Sequence, residues 1–221
     1  MSRSGSGTDR PTRLAVLDYG IGNLRSAQKA LEHVGADAAL TADPAVVEAA
    51  DGVVLPGVGA FGRCREALAD TGLDRVALDA IEAGRPFLGI CIGMQLLYES
   101  SEESPGVEGL GVLPGVVRRL PDDVKHPQMQ WNRLDVVSAS PLLEGLGERP
   151  WMYFVHSFAA EATDDVIATV DYGGPVTAAA QRGSVMATQF HPEKSGRGGL
   201  AVLRNFVELA AARAGGLAPT A

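Results

Sequence analysis

The first half of the chain alternates unbroken apolar runs, glycine turns and apolar residues at helical spacing. Arg13–Asp18 (RLAVLD) runs into Tyr19-Gly20-Ile21-Gly22-Asn23. Leu24, Ala27, Ala30, Leu31 and Val34 then repeat along one helical face up to Gly35. The cycle returns with Gly52–Leu55, the loop Pro56-Gly57-Val58-Gly59 and helical stretches around Arg63–Ala69 and Leu73–Ala83, and again with Arg85–Ile90 leading to Cys91. A short run without alternation suits a strand covered on both faces. Strands alternating with helices predict a parallel sheet.

The second half reads differently. Trp131–Ser138, Trp151–Phe158, Val166–Asp171 and Pro175–Phe190 are rich in β-branched and aromatic residues, with Gly, Pro and Asp between them. They leave little room for helices and predict antiparallel strands. A last helix is expected over Gly198–Ala212, with Leu200, Leu203, Phe206, Val207 and Ala210 on one face. The expected fold is α/β: a single three-layer domain with a mixed, largely parallel central sheet flanked by helices. At about 150 residues per domain, 221 residues make one large domain. Residues 1–11 and 214–221 read as flexible tails around a domain at 12–213.

Composition narrows the function. Lys and Arg total 19 against 27 Asp and Glu, a formal charge of −8 without a basic run, which argues against nucleic acid or an anionic membrane. No apolar run reaches the ~18 residues that span a bilayer, and residues 1–11 lack the apolar core of a secretory signal. Two cysteines give no disulfide framework, so a reducing, cytoplasmic location is expected.

Gly89-Ile90-Cys91-Ile92-Gly93-Met94-Gln95 carries the most chemistry. A buried strand enters Cys91, and small residues two before and two after permit a sharp turn that exposes the thiol, as in a nucleophile elbow. A helix start behind it favours the thiolate. A buried structural cysteine is the other reading. Cys64, among charged helix neighbours, lacks both glycine turn and base; Arg63 and Arg65 could lower its pKa. Of four histidines (His33, His126, His156, His191), His191 lies in Gln189-Phe190-His191-Pro192-Glu193-Lys194. Pro192 biases His191 toward extended backbone, where i and i+2 share a side, so Glu193 can orient the imidazole. Cys91, His191 and Glu193 thus form a nucleophile–base–orienter set. Gly57 and Gly59 allow the Pro56–Gly59 loop to aim backbone N–H groups at an oxyanion. A metal or organic cofactor is not indicated.

These residues resemble the class I (triad) glutamine amidotransferases, in motif, in the order Cys…His…Glu, and over residues 14–212. Asp18-Tyr19-Gly20-Ile21-Gly22-Asn23-Leu24-Arg25-Ser26, Tyr153–Phe158 and Gln189–Ser195 are similar to one branch, the glutaminase subunits of imidazole glycerol phosphate synthases. That branch commonly reads Pro-His-x-Gly-Trp-Asn where this chain has Pro127-Gln128-Met129-Gln130-Trp131-Asn132. The resemblance implies L-glutamine as substrate, Gln95 as a contact to it, and backbone around His156, Ser157 and Phe158 holding its α-amino and carboxylate groups. It also implies a (β/α)8-barrel cyclase partner that receives the ammonia, met by Asn23, Trp131, Tyr153 and Lys194. Three rival readings are a glutaminase of a pyridoxal phosphate or aminodeoxychorismate synthase, a cysteine ester hydrolase using Asp164 or Asp165, and a non-enzymatic docking subunit.

Overall fold

The computed structural model describes residues 10–216. In chain order, β1 (Arg13–Leu17), α1 (Leu24–His33), β2 (Asp37–Thr41), α2 (Pro44–Glu48), β3 (Gly52–Gly57), α3 (Phe61–Asp70), α4 (Leu73–Glu82) and β4 (Phe87–Cys91) build the first half. Then follow α5 (Ile92–Leu96), β5 (Ser100–Ser101), β6 (Val116–Arg119), β7 (Gln128–Arg133), β8 (Asp135–Val136), β9 (Trp151–His156) and β10 (Phe158–Ala160). The chain continues through β11 (Val166–Asp171), β12 (Pro175–Arg182), β13 (Val185–Thr188) and α6 (Gly196–Ala214).

Eight strands form one sheet in the order β2-β1-β3-β4-β13-β12-β11-β8. Pairing is parallel from β2 through β13 and antiparallel from β13 to β8. The sheet is therefore mixed and mostly parallel, as expected, but β13, from the half read as antiparallel, pairs parallel with β4 and antiparallel with β12. β3 and β4 are buried at every position, which is why their sequences do not alternate. Helices cover the sheet in two groups. α1 packs with α6, while α2 with α4 and α3 with α4 and α5 form the other group. The cluster of Leu14, Val16, Val53, Leu55, Phe87, Leu88, Phe190, Leu203 and Phe206 lies between these layers. β7 and β9 make a separate antiparallel ribbon with Trp131 opposite Tyr153.

Several boundaries differ from expectation. The pattern reading leaves out β2 and α2, whose DAALT and PAVVE segments are too short or too alanine-rich to show a period; Asp43 caps α2, its carboxylate accepting from Ala45 N at 2.9 Å. α6 runs two residues further at each end than expected, and Val202 rather than Leu200 is its fully buried neighbour of Leu203. Gln130, in place of the branch's glycine, sits at an exposed position in regular β7, so no turn is required there. Most of both expected tails lies outside the described residues. Within them, Arg10 forms paired hydrogen bonds of 2.7 and 2.8 Å to Asp51, which ties residue 10 to the domain.

Candidate active site

The parallel strands deliver the chemistry to one edge of the sheet. Gly57 ends β3, Cys91 ends β4, and His191 follows β13 by three residues. These are carboxyl ends of adjacent parallel strands, the usual place for a site in an open α/β sheet.

The turn at Cys91 is strained, with φ 55 and ψ −109 at a non-glycine residue. Its two glycines are sterically required. A Cβ on Gly89 would sit 2.8 Å from the carbonyl oxygen of Gly93. A Cβ on Gly93 would overlap the carbonyl oxygen of Leu55 in β3. A Cβ on Gly57 would meet Gly93 N at 2.9 Å and the Tyr19 hydroxyl at 2.8 Å. Loop and elbow are therefore in backbone contact. Tyr19 fixes the approach by donating 2.7 Å to the carbonyl of Pro56. Gly59 has open space but a φ of +97, so there conformation rather than room calls for glycine. The helix behind Cys91, α5, has only five residues, so it offers nearby N–H groups and little macrodipole.

His191 Nδ1 donates to Glu193 Oε1 at 2.8 Å, with both side chains almost fully buried. This fixes the tautomer and leaves Nε2 for the cavity that it shares with Cys91. Nε2 has no hydrogen-bond partner within the chain. Burial alone would favour the neutral ring, but the adjacent Cys91 sulfur and the Glu193 carboxylate outweigh it and raise the His191 pKa to about 9. The His191 backbone is fixed as well. Its N–H donates to Tyr153 O at 3.0 Å, and its carbonyl accepts from Ser195 Oγ at 2.7 Å.

One cavity of about 550 Å³ is lined by Cys91, His191, Gln95, Gly59, His156, Ser157 and Phe158, and also by Asn23 and Lys194. Of the expected site residues, Glu193 and Gly57 stand behind this lining rather than in it. Trp131 and Tyr153 lie outside it and make an edge-to-face pair with centroids 6.0 Å apart. Gln95 is buried; its Nε2 donates to Phe158 O at 2.9 Å and to Gln189 Oε1 at 3.1 Å. His156 Nδ1 donates to Phe158 O at 2.9 Å while its Nε2 has no partner in the chain, and burial, with the His191 charge, holds its pKa at about 4. Asn23 begins α1 without spending its side chain on a cap.

Other candidates fall away. Cys64 is buried, donates to Val58 O at 3.3 Å, and has its pKa raised by burial, opposite to the lowering expected from its arginine neighbours; Arg65 is engaged with Asp74 instead. Asp165 pairs with Arg182 at 3.0 Å, and neither it nor Asp164 lines the cavity. His33 is exposed and His126 bonds to Pro121 O. Among the described residues no group of three His, Cys, Asp or Glu is arranged to hold a metal ion. Sequence reading missed Gln189 and Glu103. Gln189 lies within the quoted Gln189–Ser195 motif, in the bend just after β13 and two residues before His191. Glu103, on the cavity wall, carried no pattern at all.

A thiol on a strained elbow, an imidazole held by a carboxylate and glycine-borne N–H groups form a constellation suited to acyl transfer. The sequence pattern of the class-I glutamine amidotransferase family matches residues 15–210, and the chain belongs to that family. The chain is 54% identical over 197 residues to imidazole glycerol phosphate synthase subunit HisH of Methanothermobacter thermautotrophicus, covering 89% of this chain and 98% of that one. It is 48% identical to the subunit HisH of Syntrophotalea carbinolica, covering 89% and 100%. Within the class, it belongs to the HisH family. The fold alone is shared with PurLQS from Thermotoga maritima, with TM-score 0.72, 22% identity and coverage of 90% and 99%.

Proposed function

We propose that the chain is the glutaminase subunit of an imidazole glycerol phosphate synthase, with Cys91 as nucleophile, His191 as base and acid, and Glu193 as orienter. The observation that carries the reading is the convergence of Cys91 and the Glu193-held His191 on one cavity. The Cys91 thiolate attacks the side-chain amide carbon of glutamine. The developing oxyanion takes N–H groups from the Gly57–Gly59 loop and the elbow. The C–N bond breaks as His191 Nε2 gives its proton to the leaving nitrogen, which departs as ammonia. His191 then takes a proton from water, which attacks the γ-glutamyl thioester and releases glutamate and thiolate. Gln95 Oε1, buried and without a partner in the chain, suits an N–H of the bound glutamine. Backbone at His156, Ser157 and Phe158 holds the α-amino and carboxylate end.

The ammonia passes to a (β/α)8-barrel cyclase subunit, which forms imidazole glycerol phosphate and an aminoimidazole carboxamide ribonucleotide. Asn23, Lys194, Trp131 and Tyr153 meet that subunit. Met129, Trp131 and Trp151 support this: they are 62%, 47% and 55% exposed on one ribbon, an apolar surface of a kind that marks a docking face. The site is cytoplasmic in this reading. Candidate synthase subunits added one at a time to the purified chain test it. The imidazole glycerol phosphate cyclase, and not an aminodeoxychorismate or pyridoxal phosphate synthase subunit, should raise glutamine hydrolysis; stimulation only by one of the others overturns the assignment.

A further inference from the structure

Gln189 is fully buried beside Cys91, and the chemistry proposed above gives it no task. Its Nε2 points at Cys91 Sγ from 3.8 Å, and its Oε1 accepts from Gln95 Nε2 at 3.1 Å. The orientation of this amide is dictated by its neighbours. Gln95 Nε2 divides its two hydrogens between Phe158 O and Gln189 Oε1. A flipped Gln189 would set donor against donor. The amides thus form a directed chain from the Phe158 carbonyl through Gln95 and Gln189, ending in an N–H aimed at the sulfur. An anionic sulfur attracts such a donor more strongly than a neutral thiol does.

We propose that Gln189 is a thiolate-holding residue: its Nε2–H stabilises the Cys91 anion and keeps the sulfur at the cavity, while its Oε1 fixes the substrate-facing amide of Gln95. The proposal rests on Cys91 being the nucleophile. Reactivity follows the thiolate fraction, and a hydrogen bond to a charged group is stronger than one between neutral groups. Gln189 could instead merely fill space between β13 and its neighbours, and substitution separates the two roles.

The experiment follows iodoacetamide labelling of Cys91 in the full-length chain across pH, by peptide mass spectrometry. The variants are Gln189→Met, which keeps shape without polarity, and Gln189→Glu, which keeps the oxygen facing Gln95. Gln189→Met should slow labelling at pH 7.5 by about tenfold and move the pH profile upward. Gln189→Glu should approach wild type at low pH, where a buried carboxyl is protonated and donates, and fall behind as it ionises. This crossing profile is the deciding readout if Gln189→Met fails to fold. Labelling less than about fivefold slower at pH 7.5 in Gln189→Met, or a Gln189→Glu profile parallel to wild type, overturns the proposal. A Cys91→Ala chain that still hydrolyses glutamine would instead overturn the nucleophile assignment.

Discussion

Glu193 Oε1 accepts a 2.8 Å hydrogen bond from Nδ1 of His191, and the two side chains are shielded together from solvent. The bond fixes which ring nitrogen faces the thiol. Glu193→Gln keeps the shape but removes the negative charge that favours the protonated ring. It should lower kcat for glutamine hydrolysis by about 10²–10⁴-fold with a small change in KM. Steady-state kinetics of the partner-activated enzyme measure this; a kcat within threefold of wild type excludes the orienting role.

Cys91→Ala removes the proposed acyl acceptor and takes away only one sulfur atom from the cavity lining. Glutamine-dependent synthesis by the complex should fall by about 10⁴-fold or more, while synthesis from added ammonium salts continues. Loss of both would make Cys91 a structural residue.

The two buried histidines act on stability in opposite directions. His191, raised from 6.5 to about 9, contributes stability that is fully present below pH 6.5 and lost as pH climbs toward 9. His156, lowered to about 4, imposes a penalty that grows as pH falls from 6.5 toward 4. Their sum gives greatest stability near pH 6.5. Urea denaturation from pH 4 to 9.5 should show this maximum, and Glu193→Gln should flatten its alkaline side. An unchanged alkaline slope in that variant would contradict the coupling.

Gly93→Ala drives a methyl into the Leu55 carbonyl. Both partners are backbone, so no side-chain rotation relieves the overlap. The variant should lose about 3 kcal/mol or more, or fail to accumulate as soluble protein. Gly59→Ala meets only backbone strain, of about 1–3 kcal/mol. Chemical denaturation of both variants should rank Gly93→Ala as the more damaging.

Trp131 is half exposed on the β7–β9 ribbon, outside the cavity. Trp131→Ala should leave unassisted glutamine hydrolysis intact and weaken cyclase binding by about tenfold or more, as loss of an interface anchor of ~2 kcal/mol does. Calorimetric titration measures it; unchanged affinity removes Trp131 from the docking face.

The elbow was legible in the sequence because its demands are steric. Gly89 and Gly93 flank Cys91 at positions where backbone from β3 and the following turn leaves no room for a side chain. His191 and Glu193 were legible by their spacing but not by their geometry: His191 is extended, as proline after it requires, whereas Pro192–Lys194 form a 3-10 turn, and it is this turn that brings the Glu193 carboxylate to Nδ1. The parallel strands showed as unbroken apolar runs because both faces are covered. β2 was not legible: DAALT lies at the sheet edge, and its alanines carry little pattern. The burial of Cys64 was hidden by its arginine neighbours, of which Arg65 is engaged with Glu108 O and Asp74. Gln189 could be named as part of a motif, but its task depends on Gln95, 94 residues earlier in the chain.

β13 is inserted between β4, which carries the thiol, and β12, which belongs to the antiparallel half. The strand that closes the sheet thus also brings in the imidazole and its carboxylate. During synthesis the sulfur emerges long before this strand, so on the proposed roles the nascent polypeptide carries a nucleophile without its base. A chain arrested before β13 would bear an inert cysteine, and amide-cleaving power would be acquired together with the last join in the fold.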